Sequence, residues 1–421
     1  MSRTALSLIH AVTAGATLCA ALLSGPVLAQ PDSGATVVST LHGQRPLIIA
    51  HRGASGYLPE HTLEAYALAI EMGADFVEPD LVATRDGHLV ARHEPNILHT
   101  TDVADRPEFA SRRRAAVVDG ASEDGFFVSD FTLAELKTLR ARQSMGERSQ
   151  QFNDRFEIPT LDEVIELVQR KSREKGRTIG IYPETKHPTY HQALGLPLEG
   201  RLVKALQRAG WNHRHAPVFI QSFEQANLKQ LRQMTPVKLV QLVDANDVNA
   251  DGTLDFTAPY DRPYDWTASG RPELQTRTFA WLTTDEGLAE VASYADGIGP
   301  WKRYIVSTVS HPEGTGPGEA KLKLAPAGDL INRAHRAGLL VHTWTFRNEQ
   351  RRLPSDYAGN PLNEYQQFFR LGIDGVFSDF ADTAVAARLL NDLARNETAS
   401  ACLTGVDLPR RFRAPCALSG R

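Results

Sequence analysis

Short apolar runs alternate with amphipathic stretches along most of the chain. Pro46-Leu47-Ile48-Ile49-Ala50-His51 is rich in β-branched residues, which predicts a buried strand. Leu63, Tyr66, Ala67 and Ile70 then recur at helical spacing behind Thr62, a good N-cap residue, and Gly73 ends the run. Further strands are predicted over 75–82, 177–186, 218–222, 238–243, 296–300, 339–345 and 375–378, with helical patterns, such as 198–209, between most of them. Strands alternating with helices imply a parallel sheet. Eight of them at this length predict an α/β fold, a (β/α)₈ TIM barrel over 45–395, with its reactive groups at the C-terminal strand ends. Two segments break the alternation. Residues 94–159 are polar and charged and read as an insertion after the second strand. Residues 245–277, after the fifth strand, are rich in Asp, Pro, Tyr and Thr.

The ends follow different rules. Arg3 is the only charged residue of the first 29, an apolar run follows, and Val27-Leu28-Ala29 offers a small-residue cleavage site. Residues 1–29 are therefore expected to be a secretory signal cleaved after Ala29, with 30–44 as a linker and the mature protein periplasmic or secreted. The apolar run is shorter than the roughly 20 residues that a membrane span needs, and no other window resembles one, so no stable membrane insertion is expected. Cys402 and Cys416 lie in the expected tail, 396–421. In an oxidising compartment they would pair across a loop of about 15 residues, a constraint worth ~3 kcal/mol. A formal net charge of −4 and a pI near 6.4 give no basic field for nucleic acid.

The chemistry concentrates at the predicted strand ends. Glu78 and Asp80 are two apart on one strand and share a face. Two unpaired carboxylates facing a barrel interior are costly, and a hard divalent cation relieves the cost. Pro79 between them has no N–H, so the strand is expected to end or bulge there. Asp86-Gly87 signals a two-residue hairpin, which would set Asp80 opposite His93. The first strand ends in His51-Arg52-Gly53, and the third in Glu184-Thr185-Lys186, where Glu184 and Lys186 share a face. Three carboxylates suit a hard metal, Arg52 and Lys186 suit phosphate oxygens, and two histidines divide acid and base work. Together these are the parts for phosphoester cleavage.

Residues 51–62 read His-Arg-Gly-Ala-Ser-Gly-Tyr-Leu-Pro-Glu-His-Thr. Glu78-Pro79-Asp80-Leu81, Arg92-His93-Glu94, Glu184-Thr185-Lys186, Gln221-Ser222-Phe223, Trp344-Thr345-Phe346-Arg347 and a run from Gly372 to Asp379 follow in order. This set resembles the glycerophosphodiester phosphodiesterase family, in its exported bacterial form, over nearly the whole mature chain. The resemblance implies a TIM barrel that hydrolyses small glycerophosphodiesters, such as glycerophosphocholine, to an alcohol and sn-glycerol 3-phosphate. It implies a divalent metal, Ca²⁺ ahead of Mg²⁺, on Glu78, Asp80 and Glu184, and acid/base histidines at His51 and His93. Phosphate contacts would come from Arg52 and Lys186, a supporting contact from Glu60, and an aromatic wall from Trp344, whose other reading is core packing. Many members carry His-Asp where this chain has His93-Glu94, a change that bears on orientation or substrate choice. A phospholipase D-like relative acting on intact lipids would need an exposed apolar rim. A non-catalytic binding relative would not need all seven polar site residues.

Two features stand outside this set. Asp247, Asn249, Asp251 and Asp255 match the first positions of a calcium loop, but Ala258 stands where the bidentate Glu belongs, which favours an Asx-rich surface loop. Arg112-Arg113-Arg114 in the insertion reads as a solvated charged face.

Overall fold

The computed structural model describes residues 39–404, with side chains to residue 395. The signal segment 1–29, most of the linker, Cys416 and the side chain of Cys402 lie outside the described residues. Eight parallel staves form a closed ring. They are β1 (Leu47–Ala50), β2 (Phe76–Val77, resumed at Asp80–Ala83), β3 (Gly180–Ile181, resumed at Glu184–Thr185), β4 (Phe219–Ser222), β5 (Lys238–Val243), β6 (Gly297–Pro300), β7 (Leu340–Phe346) and β8 (Gly375–Ser378). Each pairs with its successor, and Leu47 opposite Gly375 closes the ring between β1 and β8. The helices that follow the staves in turn are α1 (Leu63–Glu71), α2 (Leu161–Lys175), α3 (Glu199–Arg208), α4 (Gln225–Met234), α5 (Asp285–Ala292), α6 (Leu330–Arg336), α7 (Pro361–Leu371) and α8 (Ala381–Thr404).

Local chemistry explains these boundaries. Thr62 Oγ1 accepts from the Ala65 N–H at the start of α1, and Gly73, at φ +100°, turns the chain away after it. Pro79 splits β2 and Pro183 splits β3. Each lacks a donor but still accepts, Pro79 from the Glu184 N–H (3.1 Å) and Pro183 from the Gln221 N–H (2.9 Å). Ile49, Tyr182, Phe219, Val240 and Phe377 fill the barrel interior. Side chains on the other strand face, such as Ile48, Ile220 and Val341, pack under the helices. At the last helix, Arg388 donates to Pro46 O (3.0 Å) and pairs with Asp75, fastening α8 to the start of the ring.

One expectation needs correction. The hairpin after β2 pairs Leu81 with Ala91, Val82 with Val90 and Ala83 with Leu89, one residue out of the expected register. The turn is longer than two residues, because the Thr84 N–H donates to His88 O while Gly87 takes φ +83°. Asp80 therefore lies opposite Arg92, whose N–H donates to Asp80 O (2.8 Å). The polar 94–159 segment has an apolar interior of its own, built from Ile97, Val103, Phe109, Phe126, Phe131 and Leu139 among others. The arginine triplet lies on a solvated charged face, as expected, where Arg112 pairs with Glu135, Arg113 with Asp124 (2.6 Å) and Arg114 with Asp130 (2.7 Å). Among the described residues, no helix is long and apolar enough to cross a membrane.

Candidate active site

The broken staves β2 and β3 deliver the carboxylates. Glu78 follows the first half of β2, Asp80 opens its second half, and Glu184 opens the second half of β3, with Asp80 and Glu184 in direct register. All three are buried, and one oxygen from each lies within 4.8 Å of the others. Burial and then the neighbouring charges of Asp80 and Glu184 push the Glu78 carboxyl well above the usual range. Burial also raises Glu184, up to about 7, although Lys186 opposes it. Asp80 is buried as well, yet His61, hydrogen-bonded to its Oδ2 at 3.1 Å, holds its pKa down. Among the described residues Asp80 Oδ1 has no hydrogen-bond partner. Three converging carboxylates, two of them held above their usual range and the third with an orphaned oxygen, form a donor set that fits a hard divalent cation.

A histidine stands on each side. His51, at the end of β1, bonds through Nδ1 to Asp379 Oδ1 (2.5 Å), and its Nε2 lies 4.0 Å from Glu78 Oε2. Asp379 Oδ2 accepts in turn from Arg148 Nη2 (2.5 Å) and Arg347 Nε (2.9 Å). His93 bonds through Nδ1 to Glu94 Oε1 (2.6 Å) and places Nε2 3.1 Å from Lys186 Nζ. Burial lowers both imidazoles to about 4, with Arg52 assisting in each case and Lys186 at His93. Both rings are therefore neutral near pH 7, with the carboxylate behind each fixing the proton on Nδ1.

The cationic side chains complete the cluster. Arg52 adopts φ +58°, a strained conformation for a residue with a side chain. Its backbone N–H donates to Glu78 Oε2 (3.0 Å), and its Nη1 donates to Glu60 Oε2 (3.0 Å). Burial alone would raise the Glu60 carboxyl, but Arg52 lowers it to about 2. Lys186 Nζ lies 3.2 Å from Glu184 Oε1. Trp344 donates from Nε1 to Gly299 O (2.7 Å) and meets Phe223 edge to face, with ring centroids 5.9 Å apart. A cavity of about 360 Å³ opens onto His51, Arg52, Glu78, His93, Glu184 and Lys186, and Trp344 forms part of its wall.

The structure thus brings together every residue expected at the barrel mouth, with Glu60 behind Arg52. It does not gather the calcium-loop residues. Asp247–Val248 pairs with Leu254–Asp255 in a small hairpin, where Asp251 accepts from Thr253 and Asp255 from Thr257. Among the described residues, the only convergent set of metal-ligating groups is Glu78, Asp80 and Glu184. Sequence reasoning named no role for His61, Gln221 or Asp379. Gln221 donates to Glu78 Oε1 (2.6 Å). Two signals were available for Asp379: it closes the run from Gly372 that carries the family resemblance, and it is a carboxylate directly after the last barrel strand.

Comparison with known proteins agrees with this geometry. Residues 51–383 match the profile of the glycerophosphoryl diester phosphodiesterase family. A glycerophosphodiester phosphodiesterase of Arabidopsis thaliana is 36% identical over 353 residues, 81% of this chain and 85% of that protein. A glycerophosphodiester phosphodiesterase of Haemophilus influenzae is 31% identical over 388 residues, 88% of this chain and 97% of that one. A crystal structure from Silicibacter pomeroyi, named for the same enzyme class, superposes with a TM-score of 0.55 at 18% identity, covering 83% of this chain and 94% of that one, and shares the fold.

Proposed function

The chain belongs to the glycerophosphoryl diester phosphodiesterase family, and on that footing we propose that it hydrolyses deacylated phospholipids such as glycerophosphocholine to an alcohol and sn-glycerol 3-phosphate. The observation that carries this reading is the buried Glu78–Asp80–Glu184 cluster with a carboxylate-backed histidine on either side. Those three carboxylates would hold a divalent cation, Ca²⁺ ahead of Mg²⁺, which when bound supplies Lewis acidity and neutralises charge developing on the phosphate.

The chain's own groups account for the remaining steps. Arg52 and Lys186 bind the non-bridging phosphate oxygens. One histidine takes the proton of the substrate's glycerol 2-hydroxyl through its free Nε2. That oxygen attacks phosphorus, the bond to the head-group oxygen breaks, and the other histidine, which takes up a proton on Nε2 when the anionic substrate binds, passes that proton to the departing alkoxide. The nucleophile is already tethered three bonds from the phosphate ester, so little entropy remains to be lost. The histidines then exchange roles, one activating water and the other returning a proton to the 2-oxygen, which opens the cyclic phosphate. Trp344 offers the wall against which the glycerol or the leaving alcohol rests.

An enzyme-coupled assay of glycerol 3-phosphate released from glycerophosphocholine, with and without a chelator, tests this. Release that stops on chelation and returns with Ca²⁺ supports the reading. Release indifferent to chelation would remove the metal from it, and no release from any glycerophosphodiester would remove the activity. Equal cleavage of an analogue lacking the 2-hydroxyl would replace the cyclic route by direct attack of water. We also infer export, from the charged start, apolar run and small-residue site of residues 1–29. N-terminal sequencing of protein from the native cells should begin at Gln30, and an intact Met1 terminus would contradict it.

A further inference from the structure

Glu94 is more than a partner for His93. Its Oε1 accepts from His93 Nδ1 (2.6 Å), while its Oε2 accepts from His187 Nε2 (3.1 Å). His187 donates its second proton, from Nδ1, to Asp119 Oδ2 (2.7 Å). A ring that donates from both nitrogens carries a positive charge. Burial opposes that charge, but the hydrogen bonds to Asp119 and Glu94 outweigh it and raise His187 to about 10. The run His93–Glu94–His187–Asp119 is therefore a chain of alternating rings and carboxylates, each link within hydrogen-bond reach, leading away from the reacting centre.

Its far end belongs to the insertion. Strands Arg114–Val118 and Ala121–Gly125 pair with Val118 opposite Ala121, leaving Asp119-Gly120 as a two-residue turn at φ +46° and +83°. That turn aims Asp119 at the mouth of the barrel, where His187 is itself held at φ +47° ahead of Pro188. Asp-Gly is a favoured pair for such a turn, so Asp119 is presented with little backbone cost, whereas the left-handed conformation of His187 is uncommon for a ring-bearing residue. Asp119 Oδ1 is buried with no hydrogen-bond partner among the described residues, which is costly.

We propose that Asp119 and His187 are positioning residues for His93, acting through Glu94, so that the hairpin of the insertion is a working part of the active site. This rests on the phosphodiesterase activity proposed above. Without the imidazolium, Glu94 Oε2 loses its partner and the carboxylate is free to turn off His93 Nδ1, so the ring keeps only the Lys186 ammonium at Nε2 to set its tautomer. Both residues also border the cavity, so direct contact with a head group is the competing role.

The test uses the full chain and two substrates of different head group, glycerophosphocholine and glycerophosphoglycerol. Asp119→Asn and His187→Gln should each lower kcat about tenfold or more, with KM within about twofold and the same loss on both substrates. The double variant should lose no more than the worse single one, because both act through one chain. Asp124→Asn, which removes an exposed ion pair on the same hairpin, should leave kcat within about twofold. Long-range ¹H–¹⁵N spectra of the histidine rings provide a readout free of turnover: His93 should be protonated at Nδ1 in the parent and mixed in both variants. Losses that multiply, losses confined to one head group, or an unchanged His93 tautomer would overturn the proposal. Failure of the parent to cleave either substrate would instead overturn the activity, and the ring spectra would still decide the positioning.

Discussion

Replacing Asp379 with Asn changes almost no volume, so no cavity term enters. Its side chain is 1% exposed and serves three donors: His51 Nδ1, Arg148 Nη2 and Arg347 Nε. Removing one partner of a buried ion pair costs about 3–5 kcal/mol. Glu349 still balances Arg148 at 2.7 Å, and Arg347 is 21% exposed, so the lower end applies, ~3 kcal/mol. For a chain of this size that is a fall of roughly 6 °C in Tm, at about 2 °C per kcal/mol. The effect on turnover has a different origin. An amide turned toward His51 donates where the carboxylate accepted, which moves the ring proton to Nε2 and removes the lone pair that faces Glu78. A wrong tautomer of this kind costs about 10⁴ in kcat in the serine-protease triad, and a loss of that order is expected here. The measurement is a thermal melt beside kcat and KM at 25 °C, well below the transition. If Tm falls but kcat stays within about threefold, Asp379 is a structural anchor and the argument that it sets the His51 ring is wrong.

Three further outcomes can be checked. Glu184 is pushed up to about 7, above an unfolded value of ~4.3, so between these pH values the metal-free fold holds a proton that the unfolded chain has released, and its stability falls as pH rises. Calcium at about 100 times its Kd should then add ~2.7 kcal/mol at pH 7 and less at pH 5, and an equal gain at both would contradict the cluster's role as its site. Trp344→Ala should lose about 1 kcal/mol of apolar contact, seen as a roughly fivefold rise in KM with little change in kcat; a change in Tm alone would assign the ring to packing. Gly180→Ala would place a Cβ 2.2 Å from Phe76 Cε1 and 2.5 Å from Pro217 O, so it should cost ~1–3 kcal/mol in a melt while leaving kcat at 25 °C unchanged.

What was legible in the sequence shared one property: it was local. Eight apolar runs marked the staves, and Glu78-x-Asp80 and Glu184-x-Lys186 declared their shared face through the two-residue period of a strand. The same dipeptide misled once and was overlooked once. Asp86-Gly87 looks like a tight turn but sits in a longer one, where Thr84 Oγ1 accepts from the His88 N–H and shifts the register. Asp119-Gly120 forms the tight turn, inside a segment whose charge concealed its own core. The supporting contacts were out of reach for a different reason. Asp379 is 328 positions from His51, and Asp119 is 68 from His187. Such pairs arise only when the ring closes and the insertion folds back on it, and no periodicity encodes that.

The two prolines that interrupt β2 and β3 have an effect beyond splitting the ladder. The spacing of Glu78, Asp80 and Glu184 is carried by the main chain at those interruptions, since Pro79 and Pro183 each hand a carbonyl to one neighbour and nothing to the other. Retuning the site for an ion of another radius would thus be a matter of altering backbone at 79 and 183. Lengthening or shortening the acids themselves would only misplace oxygens within a frame that does not yield.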